Sequence, residues 1–186
     1  TLKHSVLEGG KRLRPIFTIA VYELFKKRDS QIVTASCVTE LIHAGSLMLD
    51  DLPCMDNAEF RRGKSSSHAL YGESLTILTS AAMWVEAFNI LSSLKTDKLD
   101  FLVNKTATCM GGRGLIQGQL LDLASFNSVQ TADELRECYK LKTSVMFDLA
   151  ATIGAVLAGA NDNELKAISS FAVNFGVAYQ IRDDII

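Results

Sequence analysis

A histidine, three aspartates, two arginines and a lysine fall within one short stretch, LIHAGSLMLDDLPCMDNAEFRRGK, running from Leu41 to Lys64. Asp50 and Asp51 close an apolar run. Pro53 disfavours helix at Leu52, so a helix is expected to end there. Two carboxylates then sit at a helix C-terminus, where the macrodipole is already negative, and such a placement calls for a cation. The chain turns through Pro53, Cys54 and Met55 and supplies a third carboxylate, Asp56. Arg61 and Arg62 follow, backed by the flexible Gly63. Clustered carboxylates recruit a hard divalent ion, and Mg²⁺ binds through one or two carboxylates plus phosphate oxygens. Adjacent guanidiniums suit bidentate phosphate recognition. Together these residues read as a metal–diphosphate site.

Three further groups fit the same chemistry. The segment EGGKRLRP places Lys11, Arg12 and Arg14 beside a glycine joint, a setting suited to an anion. Lys142 and Thr143 lie in YKLKTSVMFDLAATIGA, where a lysine beside a buried run needs an anion or a path to water. Gln180, Asp183 and Asp184 fall at i, i+3 and i+4, so one helix face carries all three. Two carboxylates near the end of an apolar helix repeat the arrangement at Asp50 and Asp51.

Those groups must be held by helices. The chain has 186 residues, 48% hydrophobic, with a formal net charge of -2. That length allows one domain, residues 1–186, with a sizeable core. The charge gives no reason to expect nucleic acid or a generally anionic membrane as partner. No uninterrupted apolar run reaches membrane-span length, and no signal peptide is visible at Thr1. Cys37, Cys54, Cys109 and Cys138 show no CxxC or zinc spacing and read as reduced thiols of a cytoplasmic-type compartment. No proline follows Pro53, which argues for long helices.

Helices are expected over Ile16–Lys27, from about Gln31 to Asp51 with Asp29-Ser30 as cap, over Ser74–Leu94, over Asp97–Leu123, from Thr131 to about Leu157, and from about Asn163 onward. The Ser74–Leu94 helix is almost wholly apolar and is expected to be central. Thr131 with Glu134 forms a capping box. His43, Leu47 and Asp50 fall at i, i+4 and i+7 and share one face.

DDLPCMDN with the spaced RRGK resembles the first aspartate-rich motif of the trans-isoprenyl diphosphate synthases, which include the farnesyl and geranylgeranyl diphosphate synthases. The GGKRLRP segment and FGVAYQIRDD, similar to the second aspartate-rich motif, support the likeness. It implies an all-α antiparallel helix bundle of the isoprenoid synthase type around an apolar cavity. It also implies a Mg²⁺-dependent prenyl transfer, in which isopentenyl diphosphate condenses head-to-tail with an allylic diphosphate and diphosphate is released. Two or three Mg²⁺ ions would be held by Asp50, Asp51, Asp56, Asp183 and Asp184. Lys11, Arg14, His43 and Arg62 would grip isopentenyl diphosphate, and Arg61 and Lys142 the allylic diphosphate. Thr143 and Gln180 would turn partial negative charge toward the allylic cation. Gln119 and Asp122 would line the cavity opposite the first motif.

In this family an aromatic residue near Gly45 and Ser46 stops chain growth early. Both are small here, which implies a product longer than farnesyl, most simply geranylgeranyl, with Tyr71, Trp84 or Phe88 as a deeper floor. Ser65 stands where the family usually has proline, and Ser80 where it commonly carries an aspartate. The resemblance covers this chain but only about two-thirds of the family fold, and a homodimer, or a heteromer with a related synthase, is expected. Two other readings stay open. One is a non-catalytic regulatory subunit of a heteromeric synthase. The other is a terpene cyclase, against which Asp183-Asp184 and GGKRLRP argue. A plastid or other organelle is an alternative to the cytoplasm if a transit peptide has been removed.

Overall fold

The computed structural model describes residues 2–7, 9–125 and 131–185. Ten α-helices are found among them: α1 (Leu2–Leu7), α2 (Leu13–Glu23), α3 (Ser30–Asp50), α4 (Ser67–Tyr71), α5 (Glu73–Ser92), α6 (Leu99–Met110), α7 (Leu115–Ser125), α8 (Ala132–Tyr139), α9 (Val145–Ala158) and α10 (Asp162–Ile185). The strands seen are β1 (Phe60–Arg61) and β2 (Lys64–Ser65), paired antiparallel. The fold is all-α.

Local chemistry sets the helix ends. Asp29 caps α3, its carboxylate accepting from the Ile32 backbone N–H at 3.0 Å while Tyr22 Oη donates to its other oxygen at 2.5 Å. Thr131 and Glu134 form the expected capping box at α8. Helix α3 ends at Asp50, ahead of Pro53. Pro15 sits in the first turn of α2, where its missing N–H costs nothing.

The centre of the bundle is α9. Every residue from Met146 to Leu157 is buried, and α2, α3, α6 and α10 all pack on this helix. Gly154 permits the closest of these approaches, since a Cβ there would collide with the Thr18 carbonyl oxygen of α2. The apolar helix expected to be central is instead peripheral. Helix α5 packs on α3 through Thr76, Ser80, Met83, Ala87 and Leu91, while Leu75, Leu78 and Val85 are exposed. Composition cannot distinguish a helix buried on all sides from one with an apolar outer face.

Two further expectations are corrected. The helix expected over Asp97–Leu123 breaks at a turn, Gly111 to Gly114, between α6 and α7, because consecutive glycines favour termination over continuation. The helix beginning at Thr131 contains a π-helical turn, Lys140–Ser144, between α8 and α9. Although no uninterrupted apolar run has membrane length, three helical stretches are long and apolar enough to cross a membrane: Ser30–Asp50, Glu73–Ser92 and Ala132–Ala158. The first and last are mostly buried inside the protein, at 61% and 78%, and the middle one at 28%.

Candidate active site

The C-terminal end of α3, the start of α2, the π turn and the end of α10 enclose a cavity of about 610 Å³. Lys11, Arg14, His43, Ser46, Asp50, Arg61, Arg62, Lys142, Thr143, Gln180 and Asp183 line this space. Eleven residues singled out from sequence therefore converge on one volume, from four separate segments of the chain.

Asp50 supplies a carboxylate from the α3 end. It is 8% exposed, and burial is the main cause of its pKa being pushed up to about 6, with Asp56 and Asp51 adding repulsion against the pull of Lys142 and Arg61. A buried carboxylate without a bonded cation is a poor resting arrangement. Asp51 differs. Its side chain is 5% exposed, and Oδ1 is clamped by Arg61 through Nε at 2.6 Å and Nη2 at 2.5 Å. Asp56 is exposed just beyond, its backbone N–H bonded to the Asp50 carbonyl at 2.9 Å.

A short hairpin aims the arginines. Arg62 and Gly63 both adopt positive φ, at 54° and 75°, the two-residue turn that matches strand twist. The Arg62 side chain is brought against Gly10, where a Cβ would lie 2.5 Å from one Arg62 nitrogen and 2.7 Å from one of Arg12. Gly10 itself has φ 92°. Arg12 ion-pairs with Glu40 at 2.5 Å. Arg14 lies over the Phe147 ring at 4.9 Å, and its Nε is buried with no hydrogen-bond partner among the described residues. Burial pulls Arg14 down to about 10 despite the pull of Glu40, so it is still a cation at neutral pH. His43 is held well below its ordinary value by burial first, then by Arg14, Arg62 and Arg61. It is therefore a neutral hydrogen-bonding group. These cations outnumber the one carboxylate among them, which leaves the region ready for an anion.

The opposite wall is the π turn. Lys142 Nζ donates to Asp122 Oδ2 at 2.5 Å. Burial depresses this ammonium, but the bond to Asp122 and the charges of Asp122, Asp50 and Asp56 more than reverse that effect and raise its pKa. Thr143 donates to Gln180 Oε1 at 2.8 Å. The turn is pressed from both sides. A Cβ on Gly118 of α7 would lie 2.5 Å from the Lys142 backbone nitrogen, and one on Gly176 of α10 would lie 2.5 Å from the Ser144 Cα. Asp183 faces the cavity. Asp184 does not line it and is bonded to Tyr139 and Gln180.

A second, apolar cavity of about 160 Å³ lies beside the first and shares Ser46 and Asp50 with it. Trp84, Leu115, Ile116 and Gln119 contribute to its walls. Gly45 does not line either cavity: a Cβ there would lie 2.6 Å from Trp84 Nε1 and 3.2 Å from the Ser80 hydroxyl. The indole N–H donates to the Ile42 carbonyl at 3.1 Å and the Ser80 hydroxyl to the Gly45 carbonyl at 2.8 Å. Ser80 is thus a packing residue between α5 and α3.

Sequence reasoning missed Glu40, Tyr139 and Tyr179. Glu40 lies three residues before His43, and its position on that helix face was the available signal. No three His, Cys, Asp or Glu side chains among the described residues form a ready-made metal cage. The donors present are hard carboxylate oxygens brought one per helix end, a set that suits a divalent ion shared with phosphate oxygens rather than one enclosed by protein.

Comparison with known proteins places this arrangement in context. The polyprenyl synthetase family model matches residues 1–186. A farnesyl diphosphate synthase of Bacillus subtilis is 33% identical over 191 aligned positions, covering 100% of this chain and 64% of that protein. An Arabidopsis thaliana protein named heterodimeric geranylgeranyl pyrophosphate synthase large subunit 2 is 36% identical, covering 100% of this chain and 50% of that protein. Among solved structures, a geranyltransferase of Helicobacter pylori complexed with magnesium and isoprenyl diphosphate superposes with a TM-score of 0.94 at 31% identity, over 100% of this chain and 64% of that one. The chain spans between half and just under two thirds of the length of these relatives.

Proposed function

This chain belongs to the polyprenyl synthetase family, and from that premise we propose that it carries the central part of a prenyl diphosphate synthase. The reaction is condensation of isopentenyl diphosphate with an allylic diphosphate, lengthening the prenyl chain and releasing diphosphate. One observation carries this reading. Asp50 and Asp183, from the ends of two helices far apart in sequence, line the same cavity as Lys142, Thr143 and Gln180, with Lys11, Arg14 and Arg62 in its wall.

Mg²⁺, when bound, supplies charge neutralisation of the leaving diphosphate, and Asp50, Asp56 and Asp183 are the residues that would hold it. That role is supported by the magnesium and isoprenyl diphosphate named in the Helicobacter pylori complex. Lys142 and Arg61 bind the allylic diphosphate, and Arg61 is anchored for this by Asp51. Lys11, Arg14, Arg62 and the neutral His43 bind isopentenyl diphosphate. The Nε of buried Arg14, without a hydrogen-bond partner among the described residues, is the clearest local sign of an anion site. Thr143 and Gln180 present oxygen atoms to the allylic cation. The surrounding apolar walls keep water from that cation.

We take the product to be longer than farnesyl, with geranylgeranyl diphosphate the simplest case. The support is the apolar cavity that continues beyond the small Ser46 toward Trp84. Assembly as a dimer, with a like or a related subunit, is proposed from the exposed Leu75, Leu78 and Val85 of α5 with Phe101 of α6. The name of the heterodimeric Arabidopsis relative favours including the mixed case. The test is incubation of the protein with isotopically labelled isopentenyl diphosphate, each of dimethylallyl, geranyl and farnesyl diphosphate, and Mg²⁺. Labelled prenyl diphosphate of increased length is expected, and its loss in Asp50→Ala. No elongation by the protein alone, with elongation restored or redirected on adding a related synthase, would favour the regulatory-subunit reading instead.

A further inference from the structure

Both oxygens of Asp184 are bonded within the protein, and its side chain does not line the cavity. Oδ2 accepts a short hydrogen bond from the Tyr139 hydroxyl, and Oδ1 accepts from Gln180 Nε2 at 2.8 Å. Gln180 in turn accepts the Thr143 hydroxyl on Oε1 at 2.8 Å. The chain of bonds therefore runs from Tyr139 to Asp184, from Gln180 to Asp184, and from Thr143 to Gln180. Both ends lie on the same two elements. Tyr139 closes α8 immediately before the π turn that carries Thr143, and Gln180 and Asp184 are one turn apart on α10.

An amide can turn over and exchange its oxygen and nitrogen, and the network around it decides which way it faces. An ionised carboxylate only accepts hydrogen bonds. Asp184 therefore requires the Gln180 nitrogen on its side, which leaves the oxygen toward Thr143 and the cavity. Tyr139 donates to the second oxygen of Asp184 and holds the carboxylate in place. Of the four residues, only Thr143 and Gln180 line the cavity.

We propose that Tyr139 and Asp184 are positioning residues, which fix the Gln180 amide and through it the Thr143 hydroxyl, and that Asp184 is not a metal ligand. This rests on the prenyl-transfer reading for its catalytic consequence, and the experiment separates the two. Tyr139→Phe removes one oxygen and keeps the ring. Its kcat is expected to fall about 10- to 100-fold, the range for loss of a group that orients a reacting one. KM for both diphosphates and the Mg²⁺ concentration giving half activity should stay within about twofold of wild type, by the logic of an interaction made only in the transition state. Asp184→Asn should behave the same way. An Asp184→Asn defect recovered by excess Mg²⁺, or a Tyr139→Phe enzyme with wild-type kcat, overturns the proposal.

A second readout does not need turnover. The side-chain amide signals of Gln180, assigned by their loss in Gln180→Glu, should be shifted from the free-amide position in wild type and move back toward it in Asp184→Ala. They should also move in Tyr139→Phe. If wild type shows no prenyl transfer but these signals move as described, the functional reading fails and the positioning claim stands. If wild type is active and the signals do not move, the positioning claim fails alone.

Discussion

Arg61 holds Asp51 by two nitrogens on one oxygen, at 2.6 and 2.5 Å, with the aspartate side chain 5% exposed and the arginine side chain 34%. The neighbouring Asp50 faces the cavity instead. Adjacent aspartates of one motif are thus divided between anchoring the arginine hairpin and facing the ligand space. Breaking a buried pair by removing one partner is more costly than the pair's own net worth. Arg61→Ala is expected to lose about 1–3 kcal/mol of stability, the exposed share of the arginine reducing the full buried figure. Asp51→Ala in the Arg61→Ala background should cost less than in wild type, measured by urea unfolding of the four proteins. Equal costs in both backgrounds would mean that the two side chains are not coupled.

Stability should depend on pH through two groups that act in opposite senses. The folded pKa of Asp50 is raised to about 6 from 3.8. Between those values the folded protein keeps a proton that the unfolded chain has lost, so stability falls as pH rises through that window. Asp50→Asn removes this penalty and is expected to stabilise the protein at pH 7 in the absence of ligand and metal, by roughly 1–3 kcal/mol. His43 is shifted the other way, well below 6.5. Below pH 6.5 the unfolded chain takes up protons that folded His43 refuses, so this group costs stability as pH falls. His43→Gln should flatten the acid limb between pH 6.5 and 5. Thermal melts of the three proteins from pH 4 to 8 check both signs.

The likeness between sequence pattern and structure is uneven, for physical reasons. The face shared by His43, Leu47 and Asp50 was legible because a regular helix repeats at i, i+4 and i+7, and the three residues do line one cavity. The Asp29 cap and the Thr131–Glu134 box were legible because both are local bonds. The π turn at Lys140–Ser144 was not, since its setting lies in contacts with Gly118 and Gly176 of other helices, which no local pattern reveals. The outward face of α5 was hidden for a related reason, because hydrophobicity does not say which side a neighbour covers. The small Gly45, read with Ser46, suggests room for a longer product. Its small size instead admits Trp84, a partner 39 residues away that no local pattern reveals.

That contact yields a separate expectation. Gly45→Ala places a methyl where the Trp84 indole lies, and overpacking of this kind costs about 1–3 kcal/mol. Trp84→Leu relieves the collision and enlarges the apolar cavity. The double variant should recover stability relative to Gly45→Ala alone, and Trp84→Leu should shift the product distribution toward longer prenyl chains, resolved by chromatography of the dephosphorylated products. An unchanged distribution would remove Trp84 from the chain-length account.

The glycines flanking the π turn make a further case. Gly118→Ala and Gly176→Ala each require the Lys140–Ser144 backbone to shift, because the added carbon would lie 2.5 Å from main-chain atoms there. Turnover is expected to fall about 100-fold for a displacement near 1 Å at Lys142 and Thr143, with destabilisation of roughly 1–3 kcal/mol. Activity that follows stability alone, recovering fully at low temperature, would argue that the turn's position is not what matters.

Two helix ends, at Asp50 and Asp183, are proposed to hold a diphosphate jointly through a divalent ion. Titration calorimetry of inorganic diphosphate into the protein, with 5 mM or so of Mg²⁺ and then with chelator, measures this without requiring turnover. Binding is expected with Mg²⁺ and should weaken at least about tenfold with chelator, in Asp50→Asn and in Asp183→Asn. Diphosphate binding of equal strength in wild type and both variants, with or without Mg²⁺, would contradict it.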